Sequence, residues 1–133
     1  MTPSCDTSVL VAALVSWHES HDAAREAVAD VRVVPAHVLL ETYSVLTRLP
    51  AARRVAPVVA AAALASLPWR PLSLSATDQS QLITELAAAD VSGGASYDAL
   101  IAATARRHGL TLLSLDRRAH RTYDALGVDH RLV

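Results

Sequence analysis

The stretch from Ser96 to Asp116, Ser-Tyr-Asp-Ala-Leu-Ile-Ala-Ala-Thr-Ala-Arg-Arg-His-Gly-Leu-Thr-Leu-Leu-Ser-Leu-Asp, constrains the fold more than any other. Its first part predicts a helix. Ser96 can serve as N-cap, and Leu100, Ile101 and Thr104 recur on one face at helical spacing. Arg106, Arg107 and His108 fall in the last turn, where positive charge suits the helix dipole, and Gly109 supplies a stop. Leu110 to Leu113 is too short and too apolar for a second helix, so it reads as a buried parallel strand. The helix therefore begins with a carboxylate, Asp98, and the strand is followed by another, Asp116. In an open parallel sheet, strand carboxyl ends and neighbouring helix starts share one edge. The two acids should face a common crevice.

The rest of the chain repeats this alternation. Pro3 to Cys5 predicts a first strand ending at Asp6, and Thr7 or Ser8 then caps a helix through about Ser16. His18 to Asp30 has helical spacing, Val31 to Val34 is strand-like and closed by Pro35, and Ala36 to about Leu49 is a helix carrying Glu41 among Val38, Leu39, Tyr43 and Leu46. Arg53 to Leu67 reads as a helix apolar nearly all round, to be buried or held in an interface. Pro68 to Pro71 forms a loop and Leu72 to Leu74 a short strand, and Ser75 or Thr77 caps a helix reaching Ala89. After Asp116, Arg117 to Leu126 is helical, Gly127 ends it, and Val128 to Val133 closes the chain as a strand. The expectation is one α/β domain over residues 1–133 with a mostly parallel central sheet of four to five strands.

Hydrophobic residues make up 52% of the 133 and charged residues 19%, which excludes a disordered chain. A net charge of −1 offers no global field for nucleic acid, so any such contact must be local, and it must come from Arg because there is no Lys. The single Cys5 cannot pair internally and reads as a buried strand residue, in keeping with a reducing cytoplasm. No cleavable signal is expected, because the N-terminal region carries no positive side chain, and no membrane span, because the longest apolar run, Val55 to Leu67, is too short.

Most of the thirteen acids need no special role. Glu19, Asp22, Glu26 and Asp30 fit a solvated helix face, Asp78 and Glu85 helix-surface or capping positions, and Asp124 and Asp129 flank the last turn. Asp6, Glu41, Asp98 and Asp116 differ, because each borders apolar sequence at the end or along the face of an element. Taken singly, Asp6 and Asp116 would be plain N-caps and Asp98 a first-turn acid. Taken together at one sheet edge, they would repel one another unless a cation joined them. Oxygen ligands without a His or Cys cluster suit Mg²⁺ or Mn²⁺ rather than zinc.

Asp6-Thr7-Ser8-Val9-Leu10, the Glu41 segment Leu39 to Leu46, Tyr97-Asp98-Ala99-Leu100-Ile101-Ala102-Ala103-Thr104-Ala105 and Leu113-Ser114-Leu115-Asp116 resemble the PIN-domain ribonucleases. Within them they resemble the toxin subunits of VapBC-type toxin–antitoxin pairs. The resemblance runs from Cys5 to the C-terminus. It implies a three-layer α/β/α domain and a metal-dependent endoribonuclease site with Asp6, Glu41, Asp98 and Asp116 as the acidic quartet. Asp6, Asp98 and Asp116 would be direct ligands, Glu41 a ligand through water or an orienter of the attacking water, and Ser114 a hydrogen-bonding support for an acid. A small antitoxin and a homodimer partner are implied as well. Some relatives carry a further acid after the last Asp, where this chain has Arg117 and Arg118.

Arg117, Arg118 and Arg121 are expected on a helix opened by Asp116, where positive charge opposes the dipole. Arg117 and Arg121 are therefore candidate RNA contacts. His37 lies four residues before Glu41 but reads as a capping or packing residue, His108 and His120 read as exposed, and Trp17 and Trp69 as packing or interface residues. A receiver domain would need a Lys near the acids, an Asp-nucleophile phosphatase a second Asp at position 8, and a nucleotide-binding module more than Gly93-Gly94. A non-catalytic PIN-like module that only binds a protein partner is the remaining alternative.

Overall fold

The computed structural model describes all 133 residues. The elements in chain order are β1 (Thr2–Cys5), α1 (Thr7–Leu14), α2 (His21–Ala27), β2 (Val33–Pro35), α3 (Ala36–Thr47), α4 (Pro57–Ala65), β3 (Arg70–Leu72), α5 (Ala76–Ala88), α6 (Ala95–Arg107), β4 (Leu110–Ser114), α7 (Ala119–Leu126) and β5 (His130–Leu132). Every strand pairing is parallel: β1 with β4, β4 with β5, and β2 with β3. Against the expected central sheet of four to five mostly parallel strands, five parallel strands are present, but their ladder divides into a three-stranded and a two-stranded part. The two parts meet where β1 and β2 run side by side. There the fully buried Ser4 donates its hydroxyl to the Val33 carbonyl at 2.9 Å, replacing a missing backbone rung.

Successive residues of a strand point to opposite faces. Leu110, Thr111 and Leu112 are all buried, so helices cover both faces of β4. Helix α6 gives the core more residues than any other element: Ala99, Ile101, Ala102, Ala103 and Ala105 are inaccessible or nearly so. Small alanine side chains let this helix sit close to β4 and α7. Arg106 fastens it to α5 through a two-pronged contact with Glu85 at 2.8 and 2.9 Å and donates to the Leu126 carbonyl. Positive φ at Gly109 (67°) and Gly127 (68°) ends α6 and α7, a backbone state that glycine adopts at least cost.

Several element ends depart from the sequence expectation. Helix α1 is capped by Asp6, not by Thr7 or Ser8, and ends at Leu14. Ser96 does not cap α6, which begins at Ala95 behind Gly94 without a side-chain cap. Helix α4 starts only at Pro57, a proline in its first turn where the absent N–H costs nothing. It is not a buried helix: Ala60 alone is inaccessible, while Val58 and Val59 are 81% and 58% exposed. Helix α7 starts at Ala119, so Arg117 and Arg118 precede it rather than opening it. No helix is long and apolar enough to cross a membrane.

Because Ser4 supplies the join between the two ladders, Ser4→Ala leaves the part-buried Val33 carbonyl without that donor. The variant should lose about 1–3 kcal/mol in urea unfolding. A variant as stable as the parent chain would mean that the two ladders hold together without this bond.

Candidate functional site

The parallel pairing brings the carboxyl ends of β1, β2 and β4 to one edge, and α6, which runs back before β4, starts at that same edge. Cys5 lies opposite Leu113, and the Asp6 backbone N–H donates to the Leu113 carbonyl at 3.0 Å, which sets Asp6 beside the end of β4. A cavity of about 500 Å³ opens there. Asp6, Glu41, Asp98 and Asp116 all line it, together with Thr7, Ser8, His18, Glu19, Val45, Leu115 and Tyr123. The four acids singled out from sequence therefore do converge.

Each acid is held differently. Asp6, only 2% exposed, is both cap and cavity wall. Its Oδ1 accepts from the Ser8 hydroxyl at 2.5 Å and the Val9 N–H at 3.3 Å, and its Oδ2 accepts from the Tyr123 hydroxyl at 2.7 Å. Ser8 in turn accepts from the Leu115 N–H at 2.9 Å, linking Asp6 to the approach to Asp116. Glu41 projects from α3 and its Oε1 accepts from the Thr7 hydroxyl. His37 stands 3.9 Å from the other Glu41 oxygen and stacks on Tyr97, with ring centroids 5.5 Å apart and planes 8° from parallel. Its packing role is the one observed. Asp116 accepts from the Arg118 N–H at 2.9 Å, and its nearest cation, the Arg118 guanidinium, is 4.0 Å away and almost fully exposed, so that pair is weak.

Asp98 is the half-buried acid in the first turn of α6. Burial first, and then the charges of Glu41, Asp116 and Asp6, push its carboxyl up to about 6. Tyr123 is pushed far above the ordinary phenol range by burial and then by Asp6, which keeps its hydroxyl a proton donor. Burial followed by the Asp6 charge likewise raises the Cys5 thiol, so Cys5 is an inert core residue as expected.

The four acids offer only oxygen donors, their charges act on one another, and no Arg lies among the residues lining the cavity, although His18 does. That chemistry fits a hard divalent cation. As they stand, no three of the chain's His, Cys, Asp and Glu side chains are drawn closely enough together to hold one ion. The acids share a cavity and a field.

Other expectations need correction. Ser114 is fully buried, but its hydroxyl accepts from the Asp116 backbone N–H at 3.1 Å; it steadies the acid's main chain rather than its carboxylate. Arg117 is exposed, does not line the cavity, and precedes α7 instead of lying in its first turn. Arg121, with Arg118, lines a separate groove bounded by Asp90, Ser92 and Ala95. His120 is half-buried, not exposed, with its ring edge-on to His130 at 4.5 Å. Trp17 is 46% exposed and lies under the Arg53 guanidinium at 4.2 Å, while Trp69 packs on the core. Glu19, expected on a solvated face, reaches the cavity rim.

Sequence reading missed Ser8 and Tyr123 as holders of Asp6, and His18 as a cavity wall whose Nδ1 accepts from the Ser20 N–H at 3.0 Å. A signal for Tyr123 existed. Ala119, Thr122, Tyr123 and Leu126 make an inward stripe, and an inward tyrosine hydroxyl must find an acceptor.

A parallel α/β domain with four carboxylates at the carboxyl edge of its strands is the arrangement of PIN domains. The chain belongs to the PIN-domain family, which it matches over residues 5–125. Within that family it is similar to Ribonuclease VapC40 of Mycobacterium tuberculosis, found in two strains, with 48% identity over 129 residues and 96% of each chain covered. It is also similar to Ribonuclease VapC27 of the same organism, with 43% identity over 129 residues, 92% of this chain and 90% of that one. These relatives place it among the VapC-type members.

The upward displacement of Asp98 has a defined sign. A carboxyl raised in the folded chain contributes stability that is complete below its unfolded value near 4 and is lost as pH rises through about 6. In EDTA, the parent chain should therefore lose about 1 kcal/mol relative to Asp98→Asn between pH 4 and pH 7, a figure reduced for partial solvent screening. Urea unfolding at the two pH values measures the gap, and a gap independent of pH would mean that Asp98 feels no such repulsion.

Proposed function

We propose that this chain is a Mg²⁺-dependent endoribonuclease, able to use Mn²⁺, that serves as the toxin of a type II toxin–antitoxin pair and inhibits translation by cutting transfer or ribosomal RNA. The observation that carries the reading is the set of four carboxylates on one cavity that includes no arginine, with the Asp98 carboxyl raised by burial and then by the other three. The ribonuclease names of its relatives support the same reaction class.

Asp6, Asp98 and Asp116 would hold the cation, which when bound supplies Lewis acidity toward the phosphodiester and the attacking water. Glu41, with Oε1 engaged by Thr7, keeps Oε2 to accept a proton from that water and aim it in line with the scissile bond. Ser114 and Ser8 fix the main chain around Asp116. Hydrolysis adds water across the P–O bond, leaving a phosphate on one fragment and a hydroxyl on the other. Arg121 and Arg117 would contact RNA phosphates outside the cavity. The exposed Val58 and Val59 of α4 favour a protein partner, either a small antitoxin or a second copy of the chain.

Asp6→Asn and Asp98→Asn should each reduce cleavage of total cellular RNA at least 100-fold while circular dichroism and unfolding remain cooperative, and EDTA should abolish parent activity until Mg²⁺ is restored. Retained Mg²⁺-dependent cleavage in either variant removes the assignment. Replacing Arg117 and Arg121 together by Ala should flatten the dependence of log affinity on log salt by about 1.4, or about 0.7 for each single-strand phosphate that is no longer neutralised. An unchanged slope places the RNA elsewhere.

A further inference from the structure

We infer that Tyr123 is a positioning residue for the metal-binding geometry of Asp6, limiting that carboxylate to a single open acceptor position on Oδ2. The inference rests on the nuclease reading above. A carboxylate offers about four acceptor positions. Three are taken: Ser8 and Val9 occupy Oδ1, and Tyr123 occupies one side of Oδ2 at 2.7 Å. Ser8 and Val9 are local to the α1 cap and hold only one oxygen. Tyr123, 117 residues away in sequence, stops the carboxylate from turning about that anchor.

Tyr123 is itself rigid. It is completely buried, with its ring 5.5 Å from His130 at 62° and 6.1 Å from His120. His130 is fastened by Asp124 at 2.7 Å, so α7 and β5 both back the ring. The hydroxyl reaches the cavity wall beside Asp6, and nothing else donates to Oδ2. Removing a group that orients a metal ligand in this way typically costs about 10–100-fold in metal affinity.

The test compares Tyr123→Phe with the parent chain by calorimetric titration of EDTA-treated protein with Mn²⁺. We expect affinity to fall about 10–100-fold. RNA cleavage should show a similar fall in kcat with KM for RNA unchanged, because Tyr123 does not line the outer grooves. On an Asp6→Asn background the same substitution should change Mn²⁺ affinity less than about twofold, since the group through which Tyr123 acts is gone. Parent-like affinity in Tyr123→Phe, or an equal loss on both backgrounds, overturns the inference while leaving the nuclease reading intact. A parent chain that binds no Mn²⁺ and cleaves no RNA overturns both. Should Tyr123→Phe fail to fold, the parent chain labelled with 3-fluorotyrosine carries three ¹⁹F signals, from Tyr43, Tyr97 and Tyr123, assigned with Tyr43→Phe and Tyr97→Phe. The Tyr123 signal should move in step with Mn²⁺ or Mg²⁺ saturation, and a stationary signal overturns the proposal.

Discussion

The buried carboxylate of Asp6 is the contact on which the structure turns. An isolated charge taken out of water is expensive, and it survives here because three hydrogen-bond donors converge on it. Those donors come from α1 and α7, while Ser8 also grips the chain just beyond β4. One acid thus ties the first strand, the first helix, the end of the central strand and the last helix into a single corner. Solvating that charge internally is what brings the edges of these elements together.

Electrostatics are distributed unevenly over the rest of the molecule. On α5, Glu85 and Asp78 are matched by Arg106 and Arg107 of α6, and the hydrogen bond from Arg106 holds the Glu85 carboxyl below its usual range. At the cavity the opposite holds, with four acids and no arginine among the lining residues. Asp98 carries the resulting strain. On the proposed metal-dependent reading, stability forgone to this repulsion would be regained when the cation binds, so the residues that weaken the fold would also set the affinity of the site.

Much of this was legible in the chain because it depends on local pattern. The parallel strands followed from short apolar runs between helical stretches, and the common edge for Asp6, Asp98 and Asp116 followed from strand direction alone. Glu41 was harder to place, since a mid-helix acid reaches the edge only if α3 leaves β2 at the right angle. Element ends were less legible. Gly94 rather than Ser96 precedes α6, and α7 begins at Ala119, because caps depend on backbone angles that several nearby residues can satisfy. Arg117 was placed on the wrong side of a helix start for that reason.

The sequence by itself determined the alternation of strands and helices, the acids that reach one edge, and the absence of Lys from any ionic or phosphate contact. These are properties of periodicity and composition, which survive uncertainty of a residue or two. Only the tertiary structure decided which partners the acids have. Tyr123 reaching Asp6, Ser4 joining the two ladders, and Ser114 supporting a backbone N–H rather than a carboxylate all depend on side-chain directions between elements far apart in the chain. Hydrogen bonds are satisfied within tenths of an ångström, and sequence spacing does not carry that precision across a fold.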